Sequence, residues 1–379
     1  MVEEITIQEL AQMKPSACQI IDMRDETAFA LGHIDGAVLI PQKELETSHG
    51  ELPRDKTLVI YCRSGILSAD VAEQLRDEGY QAVNLVGGYV QWLQDKIRRE
   101  TKNEKAAEVE QGLRKKFHRV IFSRFAKAIK TYDLIQPNDR IAVCISGGKD
   151  SMLMAKLFQE LQRHGKFPFE LVFLVMDPGY SAENRQIIES NAKLLQIPIT
   201  VFETNIFDSV YNVQNNPCYL CARMRRGHLY NKAKELGCNK IALGHHYDDV
   251  IETILMGMLY GGQVQTMMPK LHSTNFAGME LIRPLYLVRE SSIEHWRDYN
   301  GLHFIQCACK FTDTCTSCNP DNTSKRKRTK ELIQMLHAES PQVESNIFRS
   351  VEHVNIDTVI GYKQHGQLHS FLDSYDETE

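Results

Sequence analysis

The chain reads as α/β throughout: a small parallel-sheet domain followed by a larger, doubly wound one. Three observations predict this. Apolar runs of strand length, among them CQIIDMR, TLVIYC and RIAVCI, alternate with stretches of helical period, the pattern of parallel sheets covered by helices. Two of these runs end in chemically distinctive loops, at Cys62 and at residues 146–151, the edge at which such sheets bind ligands. At 379 residues the chain is long enough for more than one domain, taking about 150 residues for each.

Hydrophobic residues make up 42% and charged residues 25%, the balance of a globular protein whose core needs no disulfide staple. No apolar run approaches the roughly 18 residues of a membrane span. The opening MVEEITIQEL lacks the basic-then-apolar pattern of a secretory signal, so the expected compartment is the cytoplasm. In a reducing compartment, clustered cysteines read as metal ligands or reactive thiols rather than disulfides. Charge is uneven. Residues 1–95 hold 7 Lys/Arg against 16 Asp/Glu, and residues 96–140 hold 13 against 6. Two further basic clusters follow, Arg223, Arg225 and Arg226, then residues 325–330. Three basic clusters in an acidic chain point to a polyanion partner; solvated helix faces are the plainer reading of each alone.

In residues 1–95 the strands are CQIIDMR, TLVIYC and AVNLV, with helical stretches such as SADVAEQLRDEGY between them. Cys62 ends the second strong strand and precedes a helix. A loop entering a helix N-terminus aims backbone N–H groups inward, which stabilises a thiolate or persulfide. A lone strand-end cysteine is also commonly a plain core residue. The neighbours bear on this. Asp22-Met23-Arg24, then Gly32-His33-Ile34-Asp35-Gly36-Ala37, the Cys62 loop, and Gly87-Gly88-Tyr89-Val90-Gln91-Trp92 resemble the single-domain rhodanese family in order and spacing. The resemblance implies that Cys62 carries a persulfide sulfur, with Asp22 and Arg24 as structural supports. Leu67 stands where many members of that family have Arg. That departure implies weak binding of an anionic donor such as thiosulfate and favours a protein persulfide donor, such as a cysteine desulfurase.

Residues 96–112 are polar, without a strand signal. In LRKKFHRVIFSRFAKAIKTYDLI, the residues Leu113, Phe117, Val120, Ile121, Phe125 and Ala128 recur at about 3.6 residues, with Arg114, Lys115, Arg119, Arg124 and Lys127 between them. This predicts one basic amphipathic helix. Its apolar face packs, and Lys115 and Arg119 are candidates for nucleic-acid contact.

The strand RIAVCI runs into Ser146-Gly147-Gly148-Lys149-Asp150-Ser151 and then a helix. Glycines let the backbone approach an anion, and the helix N-terminus supplies N–H groups and positive dipole. The spacing is not that of the Walker phosphate loop. SGGKDS after a strand resembles the pyrophosphate-releasing loop of the PP-loop ATPases, which adenylate a substrate oxygen. Further strands are expected at FELVFLVM, PITVFE and NKIALGH, the last entering Gly244-His245-His246-Tyr247-Asp248-Asp249. Asp248, Asp249 and Glu252 can hold Mg²⁺ through water or cap a helix N-terminus.

C-x-x-C at Cys218 and Cys221 is ambiguous by itself between redox, zinc and iron–sulfur roles. SGGKDS, C-x-x-C-x-R-x-R-R-G, LGHHYDDVIET, Tyr260-Gly-Gly, Met268-Pro-Lys-Leu and Ile282-Arg-Pro-Leu together resemble the tRNA 2-thiocytidine synthetase family of PP-loop tRNA thiolases. The resemblance implies an adenine nucleotide alpha hydrolase-like domain with cysteine-rich insertions. It also implies ATP and Mg²⁺, a tRNA substrate and a homodimer. It implies a 4Fe–4S cluster on three cysteines with one open iron. Cys218 and Cys221 match the first pair, and Cys315 is the expected third ligand, with Cys309 its competitor. A zinc site at Cys307, Cys309, Cys315 and Cys318 is the alternative. The implied nucleotide site is Ser146, Gly147, Gly148, Lys149, Asp150, Ser151, Gly244, His245 and Asp249, with Lys149 and Asp150 catalytic. Arg223, Arg225 and Arg226 join Lys115 and Arg119 as candidates for RNA contact.

The expected organisation is a sulfur-carrier domain at 1–95, a helical connector at 96–135, the nucleotide domain at 136–340, and a C-terminal helix with an acidic tail at 341–379. The two modules explain each other: a persulfide carrier is fused to a sulfur inserter. Cys62 sulfur is expected to pass to the open iron or to a cysteine near it, and then to C2 of an adenylated tRNA pyrimidine. The same chemistry on a small molecule, and a zinc- or redox-responsive ATP-binding protein, are the other functions this sequence allows.

Overall fold

The computed structural model describes residues 3–47, 52–99, 103–165, 167–207, 217–305, 325–373 and 375. The first sheet has strands β1 (Glu4–Ile5), β2 (Cys18–Asp22), β3 (Ala37–Leu39), β4 (Thr57–Tyr61) and β5 (Ala82–Leu85). Its order is β1-β5-β4-β2-β3, and every pairing is parallel. The apolar runs form the interior strands. Leu58, Val59, Ile60 and Tyr61 are each 0% exposed, as a strand covered on both faces requires. β1 and β3 are too short to carry an apolar run, and the sequence pattern did not reveal them. Helices α1 (Ile7–Leu10), α2 (Glu26–Leu31), α3 (Gln42–Thr47), α4 (Leu67–Asp77) and α5 (Gly88–Arg99) complete this module.

The connector is not the single helix expected. Helix α6 (Asn103–Arg114) ends, a π-helical turn spans His118–Phe122, and α7 (Ser123–Thr131) resumes. The π turn widens the helix, so residues after Phe117 leave the 3.6-residue phase. Val120, expected on the packed face, is 44% exposed, whereas Leu113, Phe117, Ile121 and Phe125 are buried.

The second sheet contains β6 (Arg140–Ile145), β7 (Glu170–Asp177), β8 (Ile199–Glu203), β9 (Lys240–Ala242), β10 (Lys270–His272) and β11 (Glu280–Ile282). Its order is β10-β11-β9-β6-β7-β8. All pairings are parallel except β10 with β11, an antiparallel edge absent from the sequence reading. The order reverses at β6, which has β7 on one side and β9 on the other. Ligands of open parallel sheets bind at such a switch point. The following helices are α8 (Lys149–His164), α9 (Ala182–Leu194), α10 (Pro217–Glu235), α11 (Tyr247–Gly261), α12 (Glu290–Tyr299), α13 (Lys325–Glu339) and α14 (Val343–Arg349).

The C-terminal expectation needs correction. After α14, residues 361–370 form a hairpin of β12 (Gly361–Gln364) and β13 (Gln367–Ser370), and Phe371–Asp373 is a 3₁₀ turn. The segment expected to hold only a helix and an acidic tail thus also contains a hairpin. The chain clusters into two compact units, Met1–Tyr247 with Pro269–Asn322, and Asp248–Met268 with Thr323–Glu379. The expected domain at 136–340 is thus divided, and the 1–95 module belongs to the first unit. No helix among the described residues is long and apolar enough to cross a membrane.

Candidate active site

The phosphate loop sits at the carboxyl end of β6. Ser151 Oγ donates to Gly148 O at 3.0 Å and accepts from Ser146 N at 3.2 Å, which closes the loop into a ring. Gly147 has φ +87°, and a Cβ there would lie 2.6 Å from Ile188 Cγ1 and 3.0 Å from Ile305 Cδ1. Only glycine fits both this backbone and this space. Gly148 caps α8 with no side-chain acceptor, so the first amides of α8 are left for an anion. Gly244 packs on the same turn, where a Cβ would lie 3.3 Å from Ser151 N.

Lys149 enters this site under carboxylate control. Its Nζ lies 3.1 Å from Glu290 Oε1 and 3.4 Å from Asp150 Oδ1. Burial works against the ammonium, but the Asp150, Glu290 and Glu294 carboxylates outweigh it and hold the pKa above that of an ordinary lysine. Asp150 Oδ1 is buried and receives no hydrogen bond among the described residues. Buried His246 brings Nε2 to 3.9 Å from that oxygen and 4.0 Å from Glu290 Oε1. His245 beside it is half-buried. The sequence reading missed Glu290 and the role of His246. Glu290 opens α12 and looks in sequence like an ordinary first-turn acid.

Asp249 belongs to the second unit. There it lies 3.5 Å from Arg326 Nη1, and Glu252 Oε2 lies 3.1 Å from Arg326 Nε.

Cys62 follows β4 and is 5% exposed. Its Sγ accepts from Gly65 N at 3.2 Å and lies 3.3 Å from Ser68 Oγ. Ser68 Oγ in turn reaches Asn84 Oδ1 at 2.7 Å, and Asn84 Nδ2 donates to Gly65 O at 3.0 Å. This ring of hydrogen bonds fixes the loop around one sulfur. Behind it, buried Asp22 receives Arg24 Nε at 2.9 Å, and Arg24 Nη2 also donates to Gly32 O at 2.7 Å. Tyr61 OH donates to Asp22. Burial first, then the Asp22 charge, pushes the Tyr61 phenol far above its ordinary range. At the loop's rim Ile66 is 71% exposed and Leu67 47%.

Cys221 lies half-buried on α10, packed against Met176 and Ile206. The side chain of Cys218, and Cys307, Cys309, Cys315 and Cys318, lie outside the described residues. Among the described residues no three metal-ligating side chains converge. Cys221 has the thiol chemistry and the apolar surround that suit a cluster ligand.

Lys115, Arg119, Arg124 and Lys127 are exposed, and none has an ion-pair partner among the described residues. Arg114 differs: its Nε meets Glu160 at 2.6 Å. Arg223 and Arg226 are exposed on α10, while Arg225 is half-buried with Nη2 3.5 Å from Tyr180 OH.

Residues 117–313, about half the chain, match the PP-loop domain family, and residues 6–95 match the rhodanese-like domain family. The chain is 33% identical over 256 residues to the tRNA-cytidine(32) 2-sulfurtransferase of Anaeromyxobacter sp. (strain K), covering 67% of this chain and 85% of that protein. It is 35% identical over 233 residues to the enzyme of the same name from Acaryochloris marina (strain MBIC 11017), covering 61% and 79%. A solved structure of the U34-tRNA thiolase NcsA from Methanococcus maripaludis with its 4Fe–4S cluster aligns with TM-score 0.49 at 22% identity, over 62% of this chain and 79% of that one. With a phosphate loop at the sheet's switch point and relatives matched over most of their length, the chain belongs to the tRNA-cytidine(32) 2-sulfurtransferase family of PP-loop proteins, with a rhodanese-like domain ahead of its PP-loop domain.

Proposed function

We propose that this chain is an ATP-dependent tRNA sulfurtransferase that replaces the C2 oxygen of cytidine 32 with sulfur taken from a Cys62 persulfide. One observation carries the reading furthest: a phosphate cradle with a half-buried lysine and a sulfur cradle around Cys62 are built into one compact unit.

ATP would lie on Ser146, Gly147, Gly148, Lys149, Asp150 and Ser151, with Gly244 and His245 supporting it. The C2 oxygen of the base attacks the α-phosphorus, the bond to the β-phosphate breaks, and pyrophosphate leaves. Lys149 and the α8 amides offset the charge that grows on the phosphates. The buried Asp150 oxygen suits the Mg²⁺ that accompanies ATP. Sulfide then adds at C2, and AMP departs with the original oxygen. Releasing sulfide from a persulfide takes two electrons, supplied by a dithiol reductant. Cys218, Cys221 and Cys315 would hold a 4Fe–4S cluster, which offers an open iron to sulfide when bound. A cytidine in an unpaired loop is accessible to such chemistry without opening a duplex. Lys115, Arg119, Arg223 and Arg226 are exposed cations that would meet the RNA backbone.

The sulfur donor is a protein persulfide, such as that of a cysteine desulfurase. Apolar Ile66 and Leu67 at the rim of the Cys62 loop suit a protein surface better than a dianion. Incubation with α-labelled ATP and tRNA tests the adenylation: labelled AMP forms only when tRNA is present, and about 10²-fold or more slowly in the Lys149→Ala chain. AMP release that is indifferent to tRNA would refute the reading.

A further inference from the structure

We propose that Cys62 hands its sulfur to the PP-loop module of its own chain, and that Trp92 and His303 are the positioning residues that hold the two modules in register for that transfer. The proposal rests on the persulfide relay proposed above.

Helix α5 is the joint. Its first turn is tied to the sulfur loop: Tyr89 N donates to Cys62 O at 3.0 Å and Val90 N to Arg63 O at 3.1 Å. Further along the same helix, Leu93 and Ile97 are each 1% exposed, in one hydrophobic cluster with Val143, Ile188 and Trp296 of the PP-loop module. Gln94 Nε2 donates to Glu183 O at the start of α9. The helix tied to the Cys62 loop is therefore part of the PP-loop module's core.

A second line of contacts leads to the phosphate loop. The Trp92 and His303 rings meet edge to face, with centroids 5.8 Å apart. The His303 carbonyl accepts from Asn191 Nδ2 of α9 at 3.0 Å. Two residues on, Ile305 packs where a Gly147 side chain would begin, as does Ile188 of α9. Packed side chains thus connect the Cys62 loop to the phosphate loop. A carrier domain on a flexible tether would serve any chain nearby. Here the chain's own carrier is packed into the PP-loop module's core, which makes its own Cys62 the donor held nearest in register.

The step itself is thiol–persulfide exchange. An acceptor cysteine thiolate of the PP-loop module attacks the outer sulfur of the Cys62 persulfide. One S–S bond breaks, another forms, and Cys62 leaves as a thiolate, with no net oxidation or reduction.

Co-expressing a Cys62→Ser chain with a Lys149→Ala chain tests the handover. The expectation is tRNA thiolation no greater than the sum of the two variants expressed alone. Restoration to tens of per cent of wild type would overturn transfer within the chain while leaving the relay intact. A Cys62→Ser chain that thiolates at the wild-type rate from a persulfide donor would remove the relay, and this proposal with it. For the positioning pair, Trp92→Ala is expected to lower thiolation about tenfold. Cys62 persulfide loading, read by mass spectrometry, and tRNA-dependent AMP release should be unchanged, and Trp92→Phe should recover most of the rate. Parallel loss of loading in Trp92→Ala would mark the contact as structural only and overturn its positioning role.

Discussion

Lys149 Nζ lies 3.1 Å from Glu290 Oε1, so the cation of the phosphate loop is already engaged before any nucleotide arrives. Glu290 holds Lys149 charged and aimed, and ATP phosphates must share or displace it. Removing the cation should be severe: Lys149→Ala is expected to slow tRNA-dependent pyrophosphate release by about 10²-fold or more. Glu290→Gln should lower the KM for ATP and lower kcat together, because the competing charge and the aim are lost at once. Steady-state kinetics on both variants decide it. An unchanged kcat in Glu290→Gln would leave the carboxylate without a part in the reaction.

The Cys62 cradle predicts a graded series. Cys62→Ser should abolish persulfide formation with no loss of fold, since Ser68 and Gly65 can still bond the smaller oxygen. Ser68→Ala removes one neighbour of the sulfur and strands Asn84 Oδ1. It is expected to cost about 1–2 kcal/mol of stability and to shorten the life of the persulfide several-fold. Denaturant titration and trapping of the persulfide with an alkylating reagent read the two effects separately.

The exposed cations on the connector predict a salt dependence. Replacing Lys115 or Arg119 with Glu should weaken tRNA binding alike for all tRNAs, and lower the slope of log affinity against log salt by about 1 for each phosphate no longer neutralised. Filter binding at several salt concentrations measures this. A slope equal to that of wild type would take the connector out of the RNA interface.

His303 predicts a pH effect. Burial, then the nearby Lys96 and Arg297 charges, push its pKa down to about 4, against the opposing pull of Asp35 and Asp298. The unfolded chain therefore binds the proton more readily than the native one. Stability is kept at neutral pH and is lost as pH falls from the ordinary histidine range towards 4. The loss is expected to be on the order of 3 kcal/mol. A His303→Gln chain should show a shallower decline over that range in chemical denaturation.

Much of this was legible in local sequence. The Cys62 loop and residues 146–151 are single contiguous motifs between a strand and a helix, so strand periodicity and two short stretches placed both at sheet edges. What escaped depends on distance or on backbone irregularity. Glu290 reaches Lys149, and His303 reaches Trp92, only through the fold. Val120 was misplaced because apolar spacing presumes a regular helix, and a π turn broke the phase. The proposed cluster ligands Cys218 and Cys315 come from the family resemblance, and their side chains fall outside the described residues. Iron and sulfide content of protein purified without oxygen bears on them: about four irons per chain, lost in both Cys218→Ala and Cys315→Ala, is the expected result, and zinc alone would contradict it.

The central claim is tRNA 2-thiolation, and nucleoside mass spectrometry tests it most directly. Protein purified without oxygen is incubated with ATP, Mg²⁺, a persulfide donor, a dithiol reductant and unmodified tRNA. The account predicts 2-thiocytidine in the tRNA digest, one AMP formed for each, and no thionucleoside with the Lys149→Ala chain. Pyrophosphate release with no thionucleoside in any tRNA would contradict it.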